Sequence, residues 1–357
     1  MKTVSEHPVI AVIGCGMMGS AITWPAADNG CMIRLVGSVL DDKIIDHAKE
    51  TGEHLTLKRK IRNIENYSFY HFSEIKKALE GVDLTICGVS SFGLDWYLET
   101  VLPLLPDGIP VLSVTKGMLH TGCGNMISYP EKMEECAARI GKNIDFMAVG
   151  GPCTSYELAD HDPSHVTFCG RRPELLERVR SWFATDYYLV SLSTDVRGVE
   201  CAVAMKNAYA LGTSLAIGLS YRREGREFEH YNSQAALFGQ SVKEMIRLLE
   251  LCGGKPGNIT LGAGDLYVTI FGGRTRKLGT LLGEGLSFAE AKERLSGVTL
   301  ESTVIAVRTV EAAKALEEKG LVSKDEFPLL FHVGRLLDGE TGTDIPWNAF
   351  ETGIHTL

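Results

Sequence analysis

The sequence predicts an α/β protein in which a doubly wound sheet domain over residues 1–193 is followed by an all-α domain over residues 194–357. Apolar, β-branched runs alternate with helical patterns through the first half of the chain. A glycine-rich turn follows the first of these runs, and from Val196 onward the patterns are helical only. A length of 357 residues also exceeds what one hydrophobic core usually serves, which favours two domains.

The glycine-rich turn lies between a predicted strand at residues 8–13 and a predicted helix at residues 20–29. Its sequence is Gly14-Cys15-Gly16-Met17-Met18-Gly19. In this setting a G-x-G-x-x-G pattern is the fingerprint of a dinucleotide-binding, Rossmann-type domain. The first glycine permits the tight turn, the second lets backbone approach a pyrophosphate, and the third lets the helix pack on its strand. The alternative is a tight strand-to-helix turn without a ligand.

The later strands are expected to bring polar residues to the same edge of the sheet. They are predicted at residues 32–36, 82–87, 111–115, 146–149 and 166–169. Ligands of such sheets lie beyond the carboxyl ends of the strands, so we expect Lys116 and Cys153 at the rim where the cofactor binds. The second strand ends at Gly37-Ser38, which offers neither an acid nor a base, so the choice between NAD and NADP stays open.

Composition predicts a cytoplasmic protein that binds neither nucleic acid nor metal. The net charge of -9 argues against a polyanionic partner. The nine cysteines are scattered without C-x-x-C pairs, as free thiols in a reducing compartment would be. We see no basic-then-apolar leader and no run approaching the roughly 18 apolar residues of a membrane helix.

One lysine, Lys206, interrupts the otherwise apolar helix that opens the second domain. Burying an ammonium group is costly unless it meets a partner or lines a cavity. Hydride transfer to a ketone needs a cation near the carbonyl oxygen, and Lys206 can supply both the charge and a proton. Lys116 is the expected second cation and Asp265 the balancing carboxylate. The alternative is a structural ion pair, for example with Glu200.

A glycine- and arginine-rich stretch predicts a phosphate-binding pocket in the second domain. It runs from Gly262 to Arg276 and sets Asp265, Thr269 and two arginines, Arg274 and Arg276, among four glycines. Flexible backbone could close around a small anion there, and an arginine fork could grip phosphate. A surface loop of the same composition is the alternative.

Taken together, these motifs resemble the NAD(P)-dependent glycerol-3-phosphate dehydrogenases over nearly the whole chain. The matching elements are Gly14-x-Gly16-x-x-Gly19, Ser113-x-Thr115-Lys116-Gly117, Gly151-Pro152 with Glu157, Met205-Lys206-Asn207-x-Tyr209-Ala210, Asn232-x-x-Ala235, Gly264-Asp265-Leu266-x-x-Thr269 and Gly273-Arg274-x-Arg276. The resemblance implies a homodimeric oxidoreductase of glycerol phosphate metabolism and phospholipid biosynthesis. Its reaction would reversibly convert dihydroxyacetone phosphate to sn-glycerol 3-phosphate with NAD or NADP as cofactor.

The resemblance also implies roles for individual residues. Lys206 would be the acid/base, with Lys116, Asp265 and Thr269 as the other catalytic residues. Substrate contacts would come from Lys116, Gly151, Cys153, Asn207, Gly273, Arg274 and Thr275. Cofactor contacts would come from Gly14, Gly16, Met17, Met18, Gly19, Ser38, Lys116, Ser155, Arg274, Thr299 and Glu301.

Three departures from the family pattern bear on the substrate. Thr275 stands where asparagine is usual, Cys153 where a hydroxyl or amide residue is usual, and Ser302 where glycine is usual. A thiol is a weak hydrogen-bond donor, and a threonine hydroxyl offers fewer donors than an amide. Two alternatives therefore stay open: a dehydrogenase of another phosphorylated or anionic hydroxy compound, and a cofactor-binding regulator without activity.

Overall fold

A computed structural model describes residues 7–350 except 123, 227, 229, 298, 299 and 343, and for Glu301 it describes the backbone alone. The chain divides into two compact units. Unit 1 comprises residues 1–116 and 128–200, and unit 2 comprises residues 117–127 and 201–357. The segment 117–127, which the predicted ranges place in the first domain, thus groups with the helices.

Unit 1 is built on an eight-stranded sheet in the order β12-β11-β10-β7-β6-β1-β2-β5. Its strands are β1 (Val9–Ile13), β2 (Met32–Val36), β5 (Tyr67–Tyr70), β6 (Leu84–Cys87), β7 (Val111–Ser113), β10 (Phe146–Gly150), β11 (Ser164–Gly170) and β12 (Tyr188–Ser193). The order runs outward from β1 in both directions, which confirms the doubly wound class.

The helices of unit 1 connect these strands. They are α1 (Met17–Ala21), α2 (Thr23–Asp28), α3 (Asp42–Thr51), α4 (Ile75–Ala78), α5 (Leu94–Trp96), α6 (Tyr129–Arg139), α7 (Ser155–Ala159) and α8 (Pro173–Phe183). A short hairpin, β3 (Glu53–His54) with β4 (Arg59–Lys60), follows α3. Strands such as β1 and β6 are buried on both faces, because helices cover the sheet, and this explains their largely apolar sequences.

One pair in the sheet departs from the parallel pattern. β10 and β11 run antiparallel, with Met147 opposite Gly170, whereas β11 and β12 are parallel. The connection from β10 to β11 contains only the short helix α7, too little chain for the crossover that a parallel pair needs. The sequence pattern gave no signal for this reversal, since buried strands of either direction are apolar.

Unit 2 is helical. Its elements are the small sheet of β8 (Met118–His120) and β9 (Met126–Ser128), most of α9 (Val196–Glu224), α10 (Tyr231–Leu251), α11 (Ile259–Phe271), α12 (Gly273–Gly283), α13 (Phe288–Arg294), α14 (Glu301–Glu318) and α15 (Pro328–Leu337). Arg308 of α14 donates to the carbonyl oxygen of Met118 at 3.1 Å. This contact helps to explain why the segment 117–127 groups with the helices.

The glycine- and arginine-rich stretch is not a flexible loop, and that expectation was wrong. Residues 259–271 form α11 and residues 273–283 form α12, with Gly272 between them. Glycine serves helix packing at Gly262, where an added Cβ would lie 2.7 Å from the carbonyl oxygen of Ala202 in α9. An added Cβ on Gly279 or Gly283 of α12 would likewise lie too close to a backbone oxygen of α9. Glycine at these positions therefore lets the backbones of α11 and α12 approach that of α9 closely.

A buried carboxylate stabilises the start of α15. Glu244 of α10 is fully buried and accepts the backbone N–H groups of Leu329 and Leu330 at 2.9 and 3.0 Å. Gln240 also donates to it at 2.8 Å. The carboxylate thus satisfies N–H groups that lack a partner within their own helix. Burial raises the pKa of Glu244 from an ordinary 4.5 to about 7.

This raised pKa predicts a pH-dependent contribution to stability. A folded-state pKa above the unfolded value means that the contribution is fully present below pH 4.5 and is lost as the pH rises through about 7. We expect the free energy of unfolding of the wild type, relative to Glu244→Gln, to fall by about 3 kcal/mol across this window. Urea titrations at several pH values measure the difference, and a constant difference would contradict the assignment.

Candidate functional site

Three glycines bring backbone segments of unit 1 into direct contact at the glycine-rich turn. Gly14 has a φ of +102°, and an added Cβ would lie 2.8 Å from the backbone carbon of Gly88, which follows β6. A Cβ on Gly19 would collide with the carbonyl oxygen of Gly14, and one on Gly88 would lie 2.6 Å from the same oxygen. The first and third glycines of the fingerprint are thus required by packing inside the protein.

Gly16 has a different environment. An added Cβ there meets nothing within 4 Å, and the φ of -62° is one that any residue adopts. Packing therefore does not explain the glycine, whereas close approach of a ligand would. Met17 and Met18 begin α1 directly after it, and Met17 is exposed. The first N–H groups of this helix have no partner within the helix, so the turn fits the pyrophosphate of a dinucleotide.

The turn after β2 is organised by Asp41, whose role the sequence interpretation missed. One oxygen of Asp41 accepts the backbone N–H of Cys15 at 3.0 Å and that of Ser38 at 2.8 Å. The Ser38 hydroxyl donates to the same oxygen at 2.7 Å. The Ser38 side chain, which is expected to contact the cofactor, thus directs its hydroxyl proton toward Asp41. Asp41 lies 25 residues after Gly16, later than the position about 20 residues after the fingerprint where an acid near the ribose is expected, so the spacing alone does not predict its contact with the turn.

Two predicted site residues meet at the carboxyl ends of β7 and β10. The Lys116 ammonium group donates to the carbonyl oxygen of Gly151 at 2.7 Å. Gly151 has a φ of +115°, a backbone conformation that favours glycine. Cys153 follows, half-buried, and Ser155 begins α7. Because β7 and β10 are paired, Lys116 and Cys153 both lie beyond the carboxyl ends of neighbouring strands. The expected binding of the cofactor at this rim stays a prediction.

In unit 2, Lys206 of α9 forms an ion pair with Asp265 of α11. Only 14% of the lysine side chain and 4% of the aspartate side chain are exposed. The carboxylate compensates the ammonium charge on an apolar helix and leaves the lysine partly accessible. An ammonium group held in this way can donate a proton to an oxygen placed beside it and take the proton back in the reverse direction.

Two other expected residues of unit 2 lie on the same helices as this pair. Thr269 lies one turn after Asp265, and its hydroxyl donates to the Asp265 carbonyl oxygen at 2.7 Å. Asn207 follows Lys206, and its amide donates to the Ala204 carbonyl oxygen at 3.1 Å. The Thr269 hydroxyl and the Asn207 amide thus both donate hydrogen bonds to backbone carbonyl oxygens of their own helices. Both contacts are local to one helix, so they follow once these segments are known to be helical.

The predicted phosphate-binding residues lie at the start of α12. Gly273 has a φ of +85° and is the first residue of the helix, and Arg274 is exposed at its first turn. Thr275 is buried, 6% exposed. Thr299 lies outside the described residues, and for Glu301 the structure describes only its position at the start of α14.

Within the described ranges, no group of three or more His, Cys, Asp or Glu side chains could hold a metal ion. The described helices also include none that is both long and apolar enough to cross a membrane.

Comparison with known proteins identifies the family. The model of the NAD-dependent glycerol-3-phosphate dehydrogenase N-terminus matches residues 9–175, and that of the C-terminus matches residues 195–345. A protein of Archaeoglobus fulgidus, an NADP(+)-dependent glycerol-3-phosphate dehydrogenase, is 30% identical over 315 residues, 87% of this chain and 90% of the relative. A glycerol-3-phosphate dehydrogenase [NAD(P)+] of Shouchella clausii is also 30% identical, over 87% of this chain and 86% of its own.

Solved structures agree in fold. A crystal structure of glycerol-3-phosphate dehydrogenase from Coxiella burnetii has a TM-score of 0.74 at 25% identity, covering 97% of this chain and 98% of its own. A Plasmodium falciparum glycerol-3-phosphate dehydrogenase has a TM-score of 0.78 at 18% identity, covering 98% and 97%, and supports the fold alone. This chain belongs to the NAD-dependent glycerol-3-phosphate dehydrogenase family.

Proposed function

We propose that this protein interconverts dihydroxyacetone phosphate and sn-glycerol 3-phosphate with NAD(P)H as the hydride donor, and that Lys206 is the acid/base. The observation that carries the role of Lys206 is its ion pair with Asp265, 14% and 4% exposed. A partly accessible ammonium group on an apolar helix, balanced by one carboxylate, is suited to proton transfer at a substrate oxygen. The substrate follows from family membership and from the names of the relatives.

The protein's own residues would bind and orient the reactants. The nicotinamide would supply the redox chemistry when bound. Gly14, Gly16, Gly19 and the start of α1 would hold the pyrophosphate, and Lys116 would add positive charge at the strand ends. Asp265 would hold the Lys206 ammonium in place, so that the proton moves between its Nζ atom and the carbonyl oxygen of the substrate.

Further assignments belong to the same proposal. Arg274 would bind the phosphate, because its guanidinium group is exposed at the start of α12 and can donate two parallel hydrogen bonds to phosphate oxygens. The dipole of the helix also attracts an anion at this end. The remaining assignments stay predictions. They are the substrate contacts from Gly151, Cys153, Asn207, Gly273 and Thr275, and the roles of Met17, Met18, Ser155 and Thr269. The homodimer and the cytoplasmic location are also predictions.

A steady-state assay with a panel of phosphorylated ketoses and both reduced cofactors tests the proposal directly. We expect the highest kcat/KM with dihydroxyacetone phosphate. A higher value with another phosphorylated or anionic ketone would favour the alternative substrate class that Thr275 and Cys153 suggest. Cofactor binding without turnover of any ketone would favour a regulator.

Replacing the acid/base should abolish chemistry while leaving cofactor binding intact. We expect Lys206→Ala to reduce kcat at least a hundredfold, within the range that general acid–base catalysis contributes, with an unchanged Kd for NADH or NADPH. Lys314→Ala is the matched control, because Lys314 on α14 forms an exposed ion pair with Asp338, which follows α15. Turnover above about a tenth of wild type, a barrier change of only ~1.4 kcal/mol, would refute the role.

Whereas replacing Lys206 should leave cofactor binding intact, a larger side chain at Gly16 should weaken it. Because an added Cβ at Gly16 meets no atom within 4 Å, Gly16→Val should fold normally and yet weaken cofactor binding at least tenfold. Gly239→Val is the control, since Gly239 lies in α10 with equally open space around it. Fluorescence titration of the reduced cofactor measures the Kd. An unchanged Kd in the folded variant would remove this turn from the binding site.

The phosphate contact is tested by exchanging one cation for another. Arg274→Lys should raise the KM for dihydroxyacetone phosphate about tenfold, because a point charge does not reproduce a bidentate guanidinium fork. Lys277→Arg makes the reverse exchange at an exposed site on the same helix and should leave the KM unchanged. An equal response of the two variants would indicate general electrostatics instead of a specific phosphate contact.

A further inference from the structure

The residue between the first two glycines of the turn is held by side chains from outside the fingerprint. Cys15 is completely buried, and its thiol packs in the hydrophobic core of unit 1. Burial raises the pKa of this thiol well above its ordinary value, so it stays protonated. The Cys15 side chain therefore anchors the turn in the core. Its backbone N–H and C=O groups, and not its thiol, are the groups that can influence a bound ligand.

The N–H group of Cys15 is held on one side by Asp41, at 3.0 Å. The carbonyl group is held on the other side by His54, whose Nε2 lies 3.0 Å from the oxygen, and the Ser20 hydroxyl donates to the same oxygen at 3.2 Å. Asp41 comes from the turn after β2, and His54 from the hairpin β3–β4. Two segments that are separate in sequence therefore hold one residue of the glycine-rich turn.

The protonation state of His54 follows from its contacts. Its Nδ1 accepts the backbone N–H of Leu57 at 3.1 Å, so Nδ1 carries no proton. The proton of the neutral ring is then on Nε2, which donates it to the Cys15 carbonyl oxygen. His54 is fully buried, and burial lowers its pKa below the ordinary 6.5, which keeps the ring neutral.

The planar peptide transmits this contact to the ligand side. In a trans peptide the C=O group of Cys15 and the N–H group of Gly16 point in opposite directions. Because His54 and Ser20 hold the oxygen toward the protein interior, the N–H of Gly16 is directed away from it. Gly16 is the residue where an added Cβ would meet open space. One hydrogen bond from a buried histidine thus orients a donor on the accessible side of the turn.

We propose that Asp41 and His54 are positioning residues for the cofactor: they fix the backbone on both sides of Cys15, so that the N–H of Gly16 is aligned with the dinucleotide pyrophosphate before it binds. The inference rests on the proposed function in that it takes the turn as the cofactor site. A donor fixed in advance binds a phosphate without losing backbone freedom, and pre-organisation of this kind increases affinity. Neither residue needs to touch the ligand.

Two polar replacements of His54 separate this role from simple packing. In His54→Gln the amide nitrogen can take the place of Nε2 and keep the contact with Cys15, whereas the shorter His54→Asn can replace Nδ1 and keep only the contact with Leu57. We expect His54→Asn to raise the Kd of the reduced cofactor about five- to tenfold, the size expected for one lost hydrogen bond, and His54→Gln to stay within about twofold of wild type.

Further measurements complete the test. At saturating cofactor, kcat and the KM for dihydroxyacetone phosphate should stay within about twofold of wild type in His54→Asn, since the contact acts on cofactor binding alone. Asp41→Ala, which removes the acceptor for the Cys15 N–H, should raise the cofactor Kd and, combined with His54→Asn, give less than the product of the single effects, because both residues fix the same backbone. His165→Asn on β11, where His165 contacts Ser191 at 2.8 Å, is the control and should leave the Kd unchanged.

Equal Kd values for His54→Asn and wild type would overturn the proposal, as would equal weakening in His54→Asn and His54→Gln with equal loss of thermal stability. If either variant does not fold, the Asp41→Ala titration decides alone, and an unchanged Kd there overturns the proposal. Failure of the proposed function is a separate outcome: the wild type itself would then bind no dinucleotide or turn over no phosphorylated ketose.

Discussion

The structure of unit 1 depends on backbone segments that touch without side chains between them. At Gly14, Gly19 and Gly88 the end of β1, the start of the first helix and the end of β6 meet so closely that a Cβ on any of the three would strike another backbone. This contact fixes the path of the turn and leaves one side of it, at Gly16, open. The same residue type therefore serves packing at three positions and borders open space at a fourth.

In unit 2, glycines also allow close backbone contact, here between helices. Gly262, Gly279 and Gly283 let α11 and α12 approach the backbone of α9, the helix that carries Lys206. Close packing of these helices places Asp265 beside Lys206, although 59 residues separate them in sequence. The glycines of this unit thus position a charged pair, and they contribute to the candidate site through helix packing instead of loop flexibility.

In each unit a carboxylate accepts backbone N–H groups from a segment distant in sequence. Asp41 accepts three hydrogen bonds on one oxygen, and Glu244 accepts two backbone N–H groups at the start of α15. An unsatisfied buried donor or acceptor is costly, so these carboxylates hold their segments in one arrangement. In unit 1 the segment held in this way is the glycine-rich turn, which links the packing of the domain to its proposed binding of a cofactor.

The sequence by itself determined the class of the fold and the class of the protein. The strand before Gly14, the glycine spacing and the later helical runs follow short-range rules of periodicity and turn chemistry, and these rules act within a few residues. Only the tertiary structure decided which groups meet: the antiparallel pairing of β10 with β11, the ion pair of Lys206 with Asp265, and the contacts of Asp41 and His54 with Cys15. Glycine in a helix and glycine in a loop are the same letter in a sequence, so the stretch from Gly262 to Arg276 looked flexible until the neighbouring helix was known. The reason is that burial and partner choice depend on residues far along the chain, which local patterns do not contain.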